Sequence, residues 1–202
     1  NQNKAILSGD AMFACAFKYL LQCDKEVIPQ LTETLTRGAI EVCEGQGFDM
    51  DFENRQTVST DEYLQMIKLK TGVLLSTALR LGAITAKADE KTLNLLDTFG
   101  KYIGIAFQIK DDMLDCWSDL DTFGKVCGAD IIDRKKTFLY ITALESATQT
   151  QRQELLSLYE NTTLDKDEKI QKVRAIYEQL SVAQKAQKAV EEAIRPGIST
   201  WE

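Results

Sequence analysis

Phe107-Gln108-Ile109-Lys110-Asp111-Asp112-Met113-Leu114-Asp115 is the stretch whose reading decides the fold. At about 100° per residue, Gly104, Gln108, Asp111 and Asp115 fall within an arc of about 60° on a helix. Most of the remaining circumference is apolar: Tyr102, Ile103, Ala106, Phe107, Ile109, Met113, Leu114 and Trp117. A helix that apolar is expected to be buried over most of its surface. It nevertheless sets like charges at i and i+4, which alone destabilises a helix by a few tenths of a kcal/mol. Two readings stay open at this point. One is a narrow solvent seam. The other is a carboxylate pair facing a cavity and holding a hard divalent cation such as Mg²⁺, which takes one or two carboxylates and completes its shell with substrate phosphates.

Working outward, the 202 residues read as one large domain, 1–202, with few helix breakers: two prolines and eleven glycines. The net charge of −7 argues against nucleic acid or an anionic membrane surface as partner, so an anionic substrate would need cations to mediate it. Histidine is absent, which removes Ser-His-Asp and Cys-His triads and His-ligated zinc. Chemistry must then run on carboxylates, lysines and metal. The five cysteines form no Cys-x-x-Cys pair and are expected as reduced thiols packed as small apolar residues. No uncharged apolar run of about 18 residues and no signal-peptide pattern is visible; the expectation of a cytoplasmic protein rests on the reduced thiols.

Helical periodicity predicts helices over 5–22, 27–46, 59–84, 90–118, 136–147, 151–160 and 165–195. In the first, Ile6, Met12, Phe13, Phe17, Leu20 and Leu21 are the expected apolar contacts. Gly45 and Gly47 mark the expected end of the second, with Gln46, Asp49 and Asp51 just beyond it. Ser59-Thr60-Asp61-Glu62 is a capping box that opens the third. On that helix Lys70 shares a face with Tyr63, Met66, Leu74, Thr77 and Leu81, and no acid stands at i±3 or i±4. A partner must come from elsewhere, and a ligand diphosphate would serve. Thr71 beside it adds a hydroxyl. Asp89 is expected to cap the central helix. The loop that follows carries Lys125, Arg134, Lys135 and Lys136, a basic lid suited to phosphates. A calcium-loop reading fails there, because Phe123 stands where an oxygen donor is needed. Pro196-Gly197 is expected to stop the last helix.

Phe-Gln-x-x-Asp-Asp-x-x-Asp, followed by Gly124-Lys125 and by Asp130 with Lys135-Lys136-Thr137, resembles the second aspartate-rich region of trans-isoprenyl diphosphate synthases. These are the farnesyl and geranylgeranyl diphosphate synthase, or polyprenyl synthetase, family. Ala5-Ile6-Leu7-Ser8-Gly9-Asp10, Gly45-Gln46-x-x-Asp49 and Lys70-Thr71-Gly72 are similar to that family's other signatures, in the same order. The resemblance implies an all-α, isoprenoid synthase-type helical bundle around a central cavity. It implies a prenyltransferase that condenses an allylic diphosphate with isopentenyl diphosphate, using Mg²⁺, as a homodimer. It assigns Asp111 and Asp115 to the metal, with Asp112 more outlying, and Lys70, Thr71, Gln108, Lys125 and Lys135 to the substrate. The family pattern also has a first aspartate-rich motif and paired arginines upstream of Ala5, which the 202 residues do not contain. A fragment, inactive by itself, is therefore expected. A class I terpene cyclase and an inert helical subunit that modulates a complete synthase are the alternative readings.

Overall fold

In the computed structural model, residues 1–118 and 127–199 are described. Ten α-helices stand among them, with no strand: α1 (Gln2–Leu20), α2 (Ile28–Asn54), α3 (Thr60–Ile67), α4 (Val73–Thr85), α5 (Glu90–Trp117), α6 (Ala129–Ile132), α7 (Phe138–Ser146), α8 (Gln149–Glu160), α9 (Lys166–Gln179) and α10 (Val182–Ser199). A π-helical turn, Lys68–Gly72, joins α3 to α4. The helix starts follow the capping chemistry. Ser59 accepts from the Glu62 N–H while the Glu62 carboxylate accepts from the Ser59 N–H, closing the expected box. Asp89 accepts from the Thr92 N–H at the head of α5.

The central helix α5 packs along α10 on one side and along α4 and the π turn on the other, with α2 behind α4. Glycine allows the tight approach. A methyl group at Gly104 would overlap the Gly72 backbone, and one at Gly45 would overlap the backbone of Leu69 and Lys70. The principal core joins α5 to α3 and α7–α10 through Ile67, Ile109, Cys116, Leu155, Val173, Tyr177 and Val182. A smaller cluster of Val27, Leu31, Ala83, Ile84 and Leu93 closes the opposite end of the α2–α4–α5 layer.

Several expectations change. The second helix does not end at Gly45-Gly47; it continues to Asn54, because Gly45 is spent on close packing rather than on a stop. Gln46 and Asp49 are thus helical and share the wall of α2. The Lys136 ammonium donates to the Phe52 and Glu53 carbonyls at 2.8 and 3.3 Å, so this lysine closes the end of α2 instead of reaching a ligand. The predicted helix over 165–195 is two helices, broken at Ser181, whose φ of 55° lies in the left-handed region. Pro196 does not stop the last helix, which runs on to Ser199.

The apolar face expected to anchor α1 is not buried. Met12 is 74% exposed, Ile6, Leu7 and Phe13 are exposed as well, and no residue of α1 is buried. Of the cysteines, Cys116 is packed as a small apolar residue, whereas Cys15 and Cys43 are exposed. No helix among the described residues is long and apolar enough to cross a membrane.

Candidate active site

The Gln46–Asp49, Lys70–Thr71 and Gln108–Asp115 motifs converge where α2, the π turn and the C-terminal half of α5 meet, whereas Ala5–Asp10 lies on α1. A π turn inserts one residue into the helical ladder and re-aims the side chains around it. Here it carries Lys70 and Thr71. The Lys70 ammonium is 2.5 Å from Asp49 Oδ2 on α2, and the Gln46 side-chain amide stands 3.5 Å from the same oxygen. The partner that Lys70 lacked along its own helix is therefore Asp49. Both side chains stay about one-third exposed, so the pair is open to a ligand.

Thr71 faces α5. Its hydroxyl donates to Gln108 Oε1 at 3.0 Å, and Gln108 Nε2 donates to Asp112 Oδ1 at 3.3 Å. Asp112 is 4% exposed. Its other oxygen accepts from the Tyr63 hydroxyl at 2.6 Å and from the Phe138 N–H at 3.1 Å. The latter is an unpaired donor at the head of α7, for which Asp112 acts as the cap. Burial pushes the Asp112 carboxyl up to about 7, against the pull of the Tyr63, Gln108 and Phe138 donors. Asp112 is thus enclosed, with donors on both oxygens, rather than outlying on a metal-facing stripe. Tyr63 in turn is held neutral far above its usual range by burial and by the Asp112 charge.

Asp111 is exposed and Asp115 half-buried. Asp115 Oδ2 accepts from the Asp130 N–H at 3.0 Å, and its carbonyl accepts from Gly128 at 2.6 Å, tying α5 to the head of α6. Burial raises the Asp115 carboxyl, and the Asp130 charge adds to that. The Lys135 ammonium pairs with Asp130 at 2.7 Å, which raises its pKa, yet the side chain is more than half exposed. Arg134 is exposed with a positive φ of 57°. Lys125 lies outside the described residues.

Phe48 on α2, Leu74 on α4 and Phe107 on α5 are exposed. A shallow depression lies beside α8 at Gln153–Thr163, and a tight hollow lies between α2, α4 and α5 around Ser76 and Asp97; neither contains Asp111 or Asp115. Among the described residues, no three acids or thiols are gathered closely enough to hold a metal by themselves. Two oxygen-donor carboxylates one turn apart do fit Mg²⁺, which fills its remaining positions with water and phosphate.

Tyr63 is the residue that sequence reasoning missed. It stood out only as a member of the apolar face that Lys70 shares. Its partner Asp112 lies 49 residues away, beyond any local pattern.

An all-helical bundle with lysine, threonine, glutamine and paired acids on three adjoining segments defines the isoprenoid synthase class of fold. The polyprenyl synthetase family model matches residues 1–180, and the chain belongs to that family. The short chain isoprenyl diphosphate synthase of Methanocaldococcus jannaschii is 39% identical over 167 residues, 82% of this chain and 50% of that protein. The geranylgeranyl diphosphate synthase of Mycobacterium tuberculosis is 32% identical over 196 residues, 96% of this chain and 56% of that protein. Among solved structures, a geranylgeranyl pyrophosphate synthase matches with a TM-score of 0.92 at 40% identity, covering 98% of this chain and 62% of that one. The chain spans about half the length of the curated relatives it matches.

Proposed function

We propose that this chain supplies the diphosphate-binding wall of a Mg²⁺-dependent prenyltransferase that condenses an allylic diphosphate with isopentenyl diphosphate. The observation that carries the reading is the convergence of Lys70, Thr71 and Gln108 beside Asp111 and Asp115, on segments far apart in sequence. The curated relatives named as short-chain isoprenyl and geranylgeranyl diphosphate synthases support it.

Asp111 and Asp115 would hold the cation, which when bound supplies positive charge against the diphosphate. The Lys70 and Lys135 ammonium groups, with Lys125, would meet the diphosphate oxygens, and Thr71 and Gln108 would line the same wall. The C–O bond of the allylic diphosphate breaks and the diphosphate leaves with the electron pair. Lysine charge fixed in place stabilises that leaving anion more than it stabilises the bound ester. The isopentenyl double bond then attacks the allylic carbon, and the released diphosphate takes the proton lost from the new product. None of these steps needs histidine.

The same reading carries a homodimer in the cytoplasm. The exposed apolar face of α1 supports the dimer, and the free thiols of Cys15, Cys23, Cys43 and Cys116 accord with a reducing compartment. The site is tested by calorimetric titration of an allylic thiodiphosphate, a non-ionising substrate mimic, into the protein with and without Mg²⁺. Binding should require the metal and weaken about 100-fold or more in Asp111→Ala, a loss of at least about 2.7 kcal/mol. Equal affinity in excess EDTA would remove the metal from the account.

A further inference from the structure

We propose that the hollow between α2, α4 and α5 is a binding site for one monoatomic anion of the halide class, with the Arg80 guanidinium as its main contact. The site lies apart from the candidate active site and stands whether or not the chain transfers a prenyl group.

The hollow exists because glycine brings three helices together around polar side chains. A methyl group at Gly38 on α2 would overlap the Thr77 side chain of α4, and one at Gly100 on α5 would overlap the Ser76 backbone. At that approach Thr34, Ser76 and Thr77 are all buried. The Ser76 hydroxyl is satisfied, donating to Asp97 Oδ1 at 2.7 Å. The Lys101 ammonium donates to Asp97 Oδ2 at 2.8 Å, so both oxygens of that carboxylate are taken. Arg37 stands 4.0 Å from Glu41, one turn along α2.

Arg80 is left over. Its Nη1 donates to the Leu93 carbonyl at 3.2 Å, but its Nε is buried and has no hydrogen-bond partner among the described residues. A guanidinium only donates, so the missing partner must be an acceptor. The Thr34 and Thr77 hydroxyls line the same hollow and make no hydrogen bond among the described residues either. Both can turn their protons toward an acceptor. The free space is about 10 Å³, room for one body the size of a water molecule or a halide ion and too small for a phosphate. Charge decides between the two. Arg37, Arg80 and Lys101 line the hollow against Glu41 and Asp97, which leaves one positive charge over. Water would accept from the Nε–H and leave that charge uncompensated. An anion answers both, and its attraction to the guanidinium is stronger away from bulk water.

The direct test is diffraction at the bromine absorption edge from crystals of the full-length wild-type protein soaked in sodium bromide. An anomalous peak in hydrogen-bonding contact with Arg80 Nε is expected. A hollow that holds only water, in crystals that show bromide elsewhere on the surface, overturns the proposal without any variant having to fold. In solution, replacing sodium gluconate with sodium chloride at constant ionic strength should raise the Tm by about 2–4 °C and then saturate. Bromide should act in the same way. Arg80→Met should abolish the chloride-dependent shift and Thr34→Val should reduce it, whatever their own melting temperatures. A shift that rises linearly with chloride, or that Arg80→Met retains in full, is a general salt effect and overturns the site.

Discussion

At the scale of single residues, a neighbour across the fold decides what each charged side chain does. Lys70 meets Asp49 at 2.5 Å across the gap between the π turn and α2. An ion pair that is one-third exposed contributes at most about 1 kcal/mol, so Lys70→Ala should barely move the melting temperature. The same variant should weaken allylic thiodiphosphate binding at least about tenfold, as the loss of one charge-assisted contact. Normal binding with a lowered melting temperature would make Lys70 structural. Asp112 behaves in the opposite way. Removing its carboxylate by Asp112→Ala strands the Tyr63, Gln108 and Phe138 donors in a dry setting, and stability should fall by roughly 3 kcal/mol or more. Chemical denaturation checks this, and a loss below 1 kcal/mol would show that water reaches these donors. The sequence displayed both residues, but not their partners. Lys70 was legible as a lysine on an apolar face; that its partner is a carboxylate on α2 required knowing which helices touch.

At the scale of elements, the sequence was most informative where local chemistry decides. The Ser59-Glu62 box and the Asp89 cap fall where capping rules put them, because each is settled within four residues. It was least informative where a glycine has two uses. Gly45 reads as a helix stop, yet it serves as the contact that lets α2 lie against the π turn. Pro196 and the helix break at Ser181 were misread for a related reason, since packing against the bundle overrides local preference. The close contact between Gly72 and Gly104 makes its own prediction. Gly104→Ala inserts a methyl where the Gly72 backbone lies, so α5 and the π turn must part. The expected cost is about 1–3 kcal/mol in a denaturation experiment. Because Gln108 lies one turn beyond Gly104, ligand affinity should fall with it. An unchanged melting curve would mean that the two helices have slack.

At the scale of the whole molecule, the all-α architecture and the family were legible from four ordered motifs, whereas the shape of the site was not. The sequence led to acids at the mouth of a cavity, but not to Asp49 as the residue that meets Lys70 there, nor to the exposure of Phe107 (61%) and Leu74 (60%). Periodicity finds apolar stripes but cannot say what covers them, which is also why α1 was expected to be buried. The exposed stripe on α1 predicts self-association. Met12→Glu should shift the protein to a smaller species in sedimentation, and an unchanged species would exclude α1 from the interface. The central claim is that the wall built by α2, the π turn and α5 serves prenyl transfer. The most direct measurement is transfer of label from isopentenyl diphosphate into a longer isoprenyl diphosphate by the full-length protein, with an allylic diphosphate and Mg²⁺ present. The account predicts labelled product that disappears with EDTA and falls by orders of magnitude in Asp111→Ala. Product formed equally well by Asp111→Ala, or no product from wild-type protein that binds both diphosphates, would contradict it.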